Sequence, residues 1–289
     1  MKILLFGGAG QLGHELKKRA ADLEFEVVSP VTKEVDITEA DQVMKVVASA
    51  RADVVINSAA YTAVDKAEEE PEKAFRINRD GAKNIALACA KHSSRFIHVS
   101  TDYVFDGLLG SPLSEFDPVN PVSVYGRSKW EGEEAIREVL GESALIVRTQ
   151  ALYGVKGVNF VHTMLKLMGE REVIKVVDDQ WVSPTWAGWL AEALLDCARL
   201  PVGGTLHGSC EGAVSWYDFA LEIRALSARH FEGRRQAMIE PTTADALARP
   251  AKRPVYSAFD TTKMRQVLGR APMKWREGLV AFLGELDIR

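Results

Sequence analysis

A chain of 289 residues that is 47% hydrophobic and 26% charged has a globular composition, with room for one large core or two modest ones. Its formal net charge of −4, without a long basic run, argues against a nucleic-acid partner. There is no unbroken span of about 20 apolar residues and no leader pattern, and Cys89, Cys197 and Cys210 lack metal-ligand spacing, so no membrane is expected and the setting should be reducing and cytoplasmic.

The first element, Lys2 to Phe6, is a short apolar run, the pattern of a buried parallel strand. It leads into Gly7-Gly8-Ala9-Gly10-Gln11-Leu12-Gly13, and helical periodicity follows from Gln11 to Leu23. Gly7, Gly10 and Gly13 allow a tight turn, a close approach to a diphosphate and close packing of helix on sheet. The helix N-terminus adds free N–H groups and partial positive charge, so the loop predicts dinucleotide binding. Phe25 to Ser29 reads as a second strand. Its end carries Ser29 and, further on, Lys33, with no acid before Glu34. An acid there would repel a 2′-phosphate and these residues would not, so NADPH is favoured, with NADH as the alternative.

Val35 to Thr38 is a short strand or turn, after which Thr38 is expected to cap a helix with Asp41 in its first turn. Asp53 to Asn57 is a strand ending in Ser58-Ala59-Ala60-Tyr61, small residues where ligands bind in open α/β sheets. A helix holding Asn78 and Asn84 runs to about Lys91. Arg95 to Thr101 is the next strand and ends in hydroxyls, and Leu145 to Thr149 follows the helix that begins near Tyr125. This alternation predicts an α/β fold, a doubly wound parallel Rossmann sheet over residues 1–150. Residues 151–289 are more irregular and are expected to form a smaller substrate domain, some segments of which return to the sheet. Predicted there are a helix near Phe160 to Met168, a strand near Ile174 to Val177, a helix opened by Ser183-Pro184-Thr185, a short strand at Leu206, and helices over Trp216 to Leu226 and Trp275 to Leu286.

In Val124-Tyr125-Gly126-Arg127-Ser128-Lys129, Tyr125 and Lys129 share one helical face. A free phenol, with a pKa of about 10, is a poor acid or base at neutral pH, and a nearby ammonium would lower it. Tyr125 could then exchange a proton with a substrate oxygen.

The glycine loop, the Ser100-Thr101 strand end and the Tyr125/Lys129 pair together resemble the extended short-chain dehydrogenase/reductase superfamily. The segments Asn57 to Glu68, Ser100 to Gly107, Asp179-Gln180 with Ser183-Pro184-Thr185, Ser215 to Ala220, and Arg253-Pro254 are similar to those of the dTDP-4-dehydrorhamnose reductases, nearly along the whole chain. The resemblance implies a nucleotide-sugar substrate, dTDP-4-dehydro-L-rhamnose, reduced at C4. It implies Tyr125 as proton donor, Lys129 on the nicotinamide ribose and depressing the Tyr125 pKa, and Thr101 on the C4 oxygen. Thr101, Asp102 and Tyr103 would line the sugar. Gly10, Gln11 and Leu12 would hold the diphosphate, Asp36 and Ile37 the adenine, and Ala59, Ala60, Tyr61, Thr62 and Val99 further parts of the cofactor. Two departures stand out. Relatives carry Trp after Arg-Thr-Ser where this chain has Ala151, so the sugar pocket lacks that ring. Some members form a dimer around Mg²⁺; Glu15 is in place, but Gly188 stands where a second Glu is expected, so no metal is predicted and either a monomer or a homodimer remains. The alternatives are a reductase or epimerase of another deoxysugar, or a non-catalytic protein similar to the regulatory subunit of methionine adenosyltransferase. A dehydratase would carry Asp-Glu where this chain has Asp102-Tyr103.

Overall fold

A computed structural model describes residues 1–231 and 236–286. The N-terminal half runs β1 (Lys2–Phe6), α1 (Gln11–Asp22), β2 (Glu26–Val28), α2 (Ala40–Ala50), β3 (Val54–Asn57), α3 (Val64–Ala67) and α4 (Pro71–Phe75). A π turn at Arg76–Asp80 leads into α5 (Gly81–His92), followed by β4 (Arg95–Thr101), α6 (Val124–Leu140) and β5 (Leu145–Thr149). The remainder contains β6 (Leu152–Tyr153), α7 (Phe160–Glu170), β7 (Val173–Val177), β8 (Trp181–Val182), β9 (Thr185–Trp186), α8 (Ala187–Arg199) and β10 (Gly204–His207). It closes with β11 (Val214–Ser215), α9 (Trp216–Leu226), β12 (Met238–Thr242), α10 (Thr262–Leu268) and α11 (Trp275–Glu285).

The main sheet is parallel throughout, in the order β10-β5-β4-β3-β1-β2. Its central strands are apolar in unbroken runs because helices cover both faces. Leu4, Val55 and Ile146 pack under α2, α5 and α6. Leu5, Ile56 and Val147 pack under α1 and α8. Strand order reverses between β1 and β3, where Phe6 pairs with Asn57, and a crevice opens there at the carboxyl ends of the strands.

Three small sheets, β7–β12, β6–β9 and β8–β11, lie outside the main one. Aromatic packing binds their helices: the Phe160 and Trp216 rings are 4.6 Å apart and Tyr153 meets Phe282 at 5.2 Å. Two local expectations fail. Val35 to Thr38 is a turn, one of the two forms expected, but Thr38 does not cap α2; its N–H donates instead to Asp36 Oδ1 at 2.9 Å, which leaves Glu39 at the cap. Ser183-Pro184-Thr185 does not open a helix directly, because Thr185–Trp186 first pairs with β6.

Candidate active site

Gly7 has φ +83°, and a Cβ on it would lie 2.5 Å from the Ala59 backbone nitrogen at the end of β3. A Cβ on Gly13 would overlap the Gly7 carbonyl, so the loop closes tightly only with glycine at both positions. Gly10 is the N-cap of α1 and supplies no side-chain cap, which leaves the first-turn N–H groups of Gln11, Leu12 and Gly13 available to an anion. Leu12 points into the core, whereas the Gln11 amide donates to Leu152 O at 2.9 Å and accepts from Asn159 Nδ2 at 3.2 Å. Gln11 therefore couples the loop to the C-terminal half.

Around this loop the remaining predicted cofactor residues take defined places. Ser29 sits directly over Gly8, where a Cβ would overlap its hydroxyl, and Lys33 is exposed nearby. Asp36 and Ile37 form the turn before α2, with Ile37 O held by Asn84 at 3.0 Å. Ala59 N–H donates to Asn57 Oδ1, and Ala60 follows, half-buried. Tyr61 is clamped at both backbone atoms by Asn78, at 2.8 and 3.1 Å, and the Asn78 amide also donates to Ser128 Oγ. The π turn that carries Asn78 thus ties the Tyr61 loop to the start of α6. A donor-rich helix end and a cradle that added side chains would fill suit a dinucleotide diphosphate.

Ser123 caps α6 through Gly126 N–H, which fixes Tyr125 and Lys129 in its first two turns. Both are buried, at 8% and 1% exposure. The Tyr125 ring meets Tyr103 edge-on at 5.3 Å, and the Thr101 hydroxyl contacts the Tyr125 phenol. Thr101 Oγ1 donates to Asp102 Oδ1 at 3.1 Å, and Ser257 Oγ donates to Asp102 Oδ2 at 2.6 Å. Lys129 turns away from the phenol: Nζ donates to Val99 O at 2.8 Å and lies 3.0 Å from His98 Nε2. This corrects the expected depression of the Tyr125 pKa. Burial raises it above the ordinary phenol value, and the Thr101 hydrogen bond offsets only part of that. Burial also lowers Lys129 to about 8 and raises Asp102 to about 6.

A cavity of about 470 Å³ lies beside this group. Of the predicted residues, Thr62, Asp102, Tyr103 and Ala151 line it; Thr101 and Tyr125 touch that lining through Asp102 and Tyr103, and Lys129 does not line it. Ala151 adopts φ +42°, and Phe160, Met164 and Trp216 face the same cavity. Two further lining residues, Arg249 and Arg253, went unassigned in the sequence. Arg253 pairs with Asp65 at 2.8 Å across 188 residues, a contact that no local pattern could reveal. Arg249 has no carboxylate partner among the described residues, and burial together with Arg253 lowers its pKa. The cavity mouth therefore carries excess positive charge.

A guanidinium lies beside Glu15 and Gly188. Arg19 pairs with Glu192 and lies 3.7 Å from Glu15 and 3.5 Å from Glu285. A Cβ at position 188 would strike Arg19, so Gly188 makes room for it. Among the described residues no group of three or more His, Cys, Asp or Glu side chains is placed to hold a metal ion.

The sequence matches the family profile described as RmlD substrate binding domain over residues 1–288. It is 39% identical to the dTDP-4-dehydrorhamnose reductase of Aggregatibacter actinomycetemcomitans, covering 96% of this chain and 97% of the relative. The structure matches a dTDP-4-dehydrorhamnose reductase from Clostridium acetobutylicum with TM-score 0.93 and 40% identity, over 99% of this chain and 100% of that one. It matches another from Bacillus anthracis, in complex with NADP, with TM-score 0.92 and 36% identity over 98% and 99% of the two chains.

Proposed function

The chain belongs to the RmlD family of dTDP-4-dehydrorhamnose reductases, and on that premise we propose that it reduces the C4 keto group of dTDP-4-dehydro-L-rhamnose to give dTDP-L-rhamnose. It is an NAD(P)H-dependent oxidoreductase of the extended short-chain class. The observation that carries the assignment of the site is the Thr101, Asp102 and Tyr125 group at the carboxyl end of β4, beside a cavity with a cationic mouth.

Bound NADPH, or NADH, would supply the hydride that C4 accepts. Gly10, Gln11 and Leu12 would hold its diphosphate on the first-turn N–H groups of α1. Ser29, Asp36 and Ile37 would receive the adenosine end, with Ser29 tolerating a 2′-phosphate, and Ala59 to Thr62 would line the middle. Tyr125 would give its phenolic proton to the C4 oxygen. Tyr125 holds its proton at neutral pH, and the Thr101 hydrogen bond, which works against the effect of burial, eases its transfer. Thr101 would donate to the same oxygen and hold it in line with the phenol. Arg249 and Arg253 would attract the nucleotide diphosphate, Arg249 being the guanidinium without a carboxylate of its own among the described residues. Asp102 and Tyr103 would border the sugar, and Ala151 leaves space against it.

The test is NAD(P)H oxidation by the purified protein with dTDP-4-dehydro-L-rhamnose and, in parallel, other 4-keto nucleotide sugars. Turnover with the rhamnose precursor is expected. Retained cofactor binding with no turnover on any of these sugars would favour the non-catalytic reading.

A further inference from the structure

Behind Lys129 lies a buried polar chain that the reaction outlined above does not use. Asn57 ends β3, His98 lies across from it on β4, and both are 1% exposed. Asn57 Nδ2 is 3.1 Å from His98 Nδ1, and His98 Nε2 is 3.0 Å from Lys129 Nζ. The direction of these bonds follows from one fixed donor. Ala59 N–H reaches Asn57 at 3.0 Å and can only donate, so the atom that receives it is Oδ1. The Asn57 NH₂ therefore faces His98. An amide NH₂ donates and does not accept, so Nδ1 must be the bare nitrogen of the imidazole. The ring proton is then on Nε2 and points at Lys129 Nζ.

An N–H cannot hydrogen-bond to an ammonium, which has no lone pair. It can bond to a neutral amine, which accepts from His98 while still donating to Val99 O at 2.8 Å. We propose that Asn57 and His98 are positioning residues that fix the Nε2–H tautomer opposite Lys129 and so disfavour its ammonium form. This rests on Lys129 belonging to the reductive machinery for its functional meaning, but the tautomer itself does not. Burial acts in the same direction on both groups, holding His98 well below 6.5 and Lys129 at about 8.

The surroundings leave few other controls on the charge. From α6, Tyr125 lies one turn before Lys129 and Glu133 one turn after it. Glu133 favours the ammonium but is occupied by Arg148 at 2.7 Å, Arg137 at 2.9 Å and Ser100 Oγ at 2.5 Å. From β4 the facing titratable group is His98, and β3 contributes the uncharged Asn57. A Lys129 whose protonation constant lies near neutrality can change charge as the site fills, whereas a lysine at about 10.4 would stay an ammonium throughout.

The first measurement needs no variant and no activity. In protein labelled with ¹⁵N-histidine, the His98 imidazole should show a bare Nδ1 and a protonated Nε2 across neutral pH; a protonated Nδ1 overturns the proposal. The second measurement follows Lys129 by ¹³Cε-lysine titration in the parent and in Asn57→Asp. A carboxylate at 57 accepts from Nδ1–H, which moves the bare nitrogen to Nε2 and lets it receive the ammonium. The Lys129 midpoint should then rise by about one pH unit or more, about tenfold in proton affinity. An unchanged or lower midpoint in folded Asn57→Asp protein overturns the proposal. The alkaline limb of kcat/KM should move with that midpoint. If tautomer and titration behave as stated while this limb stays fixed, the role of Lys129 in turnover is what fails.

Discussion

Replacing Asp102 by Asn should stabilise the protein while impairing it as an enzyme. Asp102 is 4% exposed, and its carboxylate accepts from two hydroxyls, Thr101 Oγ1 and Ser257 Oγ, with no cation against it. Burial raises its pKa from 3.8 to about 6. A rise of that size costs the folded, ionised state about 3 kcal/mol, at about 1.36 kcal/mol per unit. Because the folded pKa lies above the unfolded one, the folded state binds more protons between about pH 4 and pH 6, and stability is lost as pH rises through that window. Linkage puts the cost at about 1.6 kcal/mol at pH 5 and about 3 kcal/mol at pH 8. Asn is nearly isosteric, and the facing hydroxyls can rotate to accept from its NH₂, at a loss of about 1 kcal/mol for weaker hydrogen bonds. Urea denaturation followed by tryptophan fluorescence should therefore find Asp102→Asn more stable than the parent at pH 8, by about 2 kcal/mol, and less so at pH 5, by about 1.4 kcal/mol of difference. The pH dependence is the decisive quantity: an equal effect at the two pH values, or a variant less stable than the parent at pH 8, refutes the reasoning. Turnover should fall in the same variant, since Asp102 borders the cavity.

Three other outcomes are expected. Tyr125→Phe keeps the ring against Tyr103 but removes the proton donor, so NADPH binding measured by fluorescence should persist while kcat falls by about 10²- to 10⁴-fold; near-parental turnover would remove Tyr125 from the mechanism. Ser29→Asp places a carboxylate beside Gly8 and should shift the kcat/KM ratio from NADPH towards NADH, and a parent that strongly prefers NADH would contradict the reading of the β2 end. Ala151→Trp adds no backbone strain beyond that already borne by Ala151 at φ +42°, and should lower KM for the rhamnose precursor by about tenfold with little change in kcat, through ring burial worth about 1–2 kcal/mol; loss of activity would show that Phe160, Met164 or Trp216 already fills that space.

The Rossmann half was legible because its signals are local. Strands buried on both faces are apolar runs, so Arg95–Thr101 and Leu145–Thr149 are read to the residue. The glycine loop is legible because Gly7 and Gly13 meet backbone where no Cβ fits. The two-residue strands β6, β8, β9 and β11 are too short to carry a period, and β9 displaces the helix start expected at Ser183. The cationic mouth of the cavity was hidden for another reason: Arg253 and Asp65 meet only through tertiary folding. The Tyr125 pKa was misread because spacing puts Lys129 on the same helical face without saying where its ammonium points. In the fold Nζ turns towards β4, where it donates to Val99 O and lies beside His98 Nε2.

The chain buries charge in two ways, and the contrast separates scaffold from site. Glu133 and Arg148 are both 2% exposed or less, yet each faces its opposite charge, with Arg137 and Ser100 completing the set, and Glu133 is held below its usual pKa. Such a cluster sets each buried charge against an opposite one and locks α6 to β4 and β5. Asp102, Tyr125 and Lys129 are buried without an ion-pair partner among the described residues, so burial drives all three towards their neutral forms. Unpaired burial lowers stability and persists where chemistry uses it. Burial leaves Tyr125 as a phenol at neutral pH, the form that can protonate a ketone oxygen, and makes it a weaker acid than a free phenol. The Thr101 hydrogen bond, which acts against burial, is therefore the contact in this group that eases proton transfer.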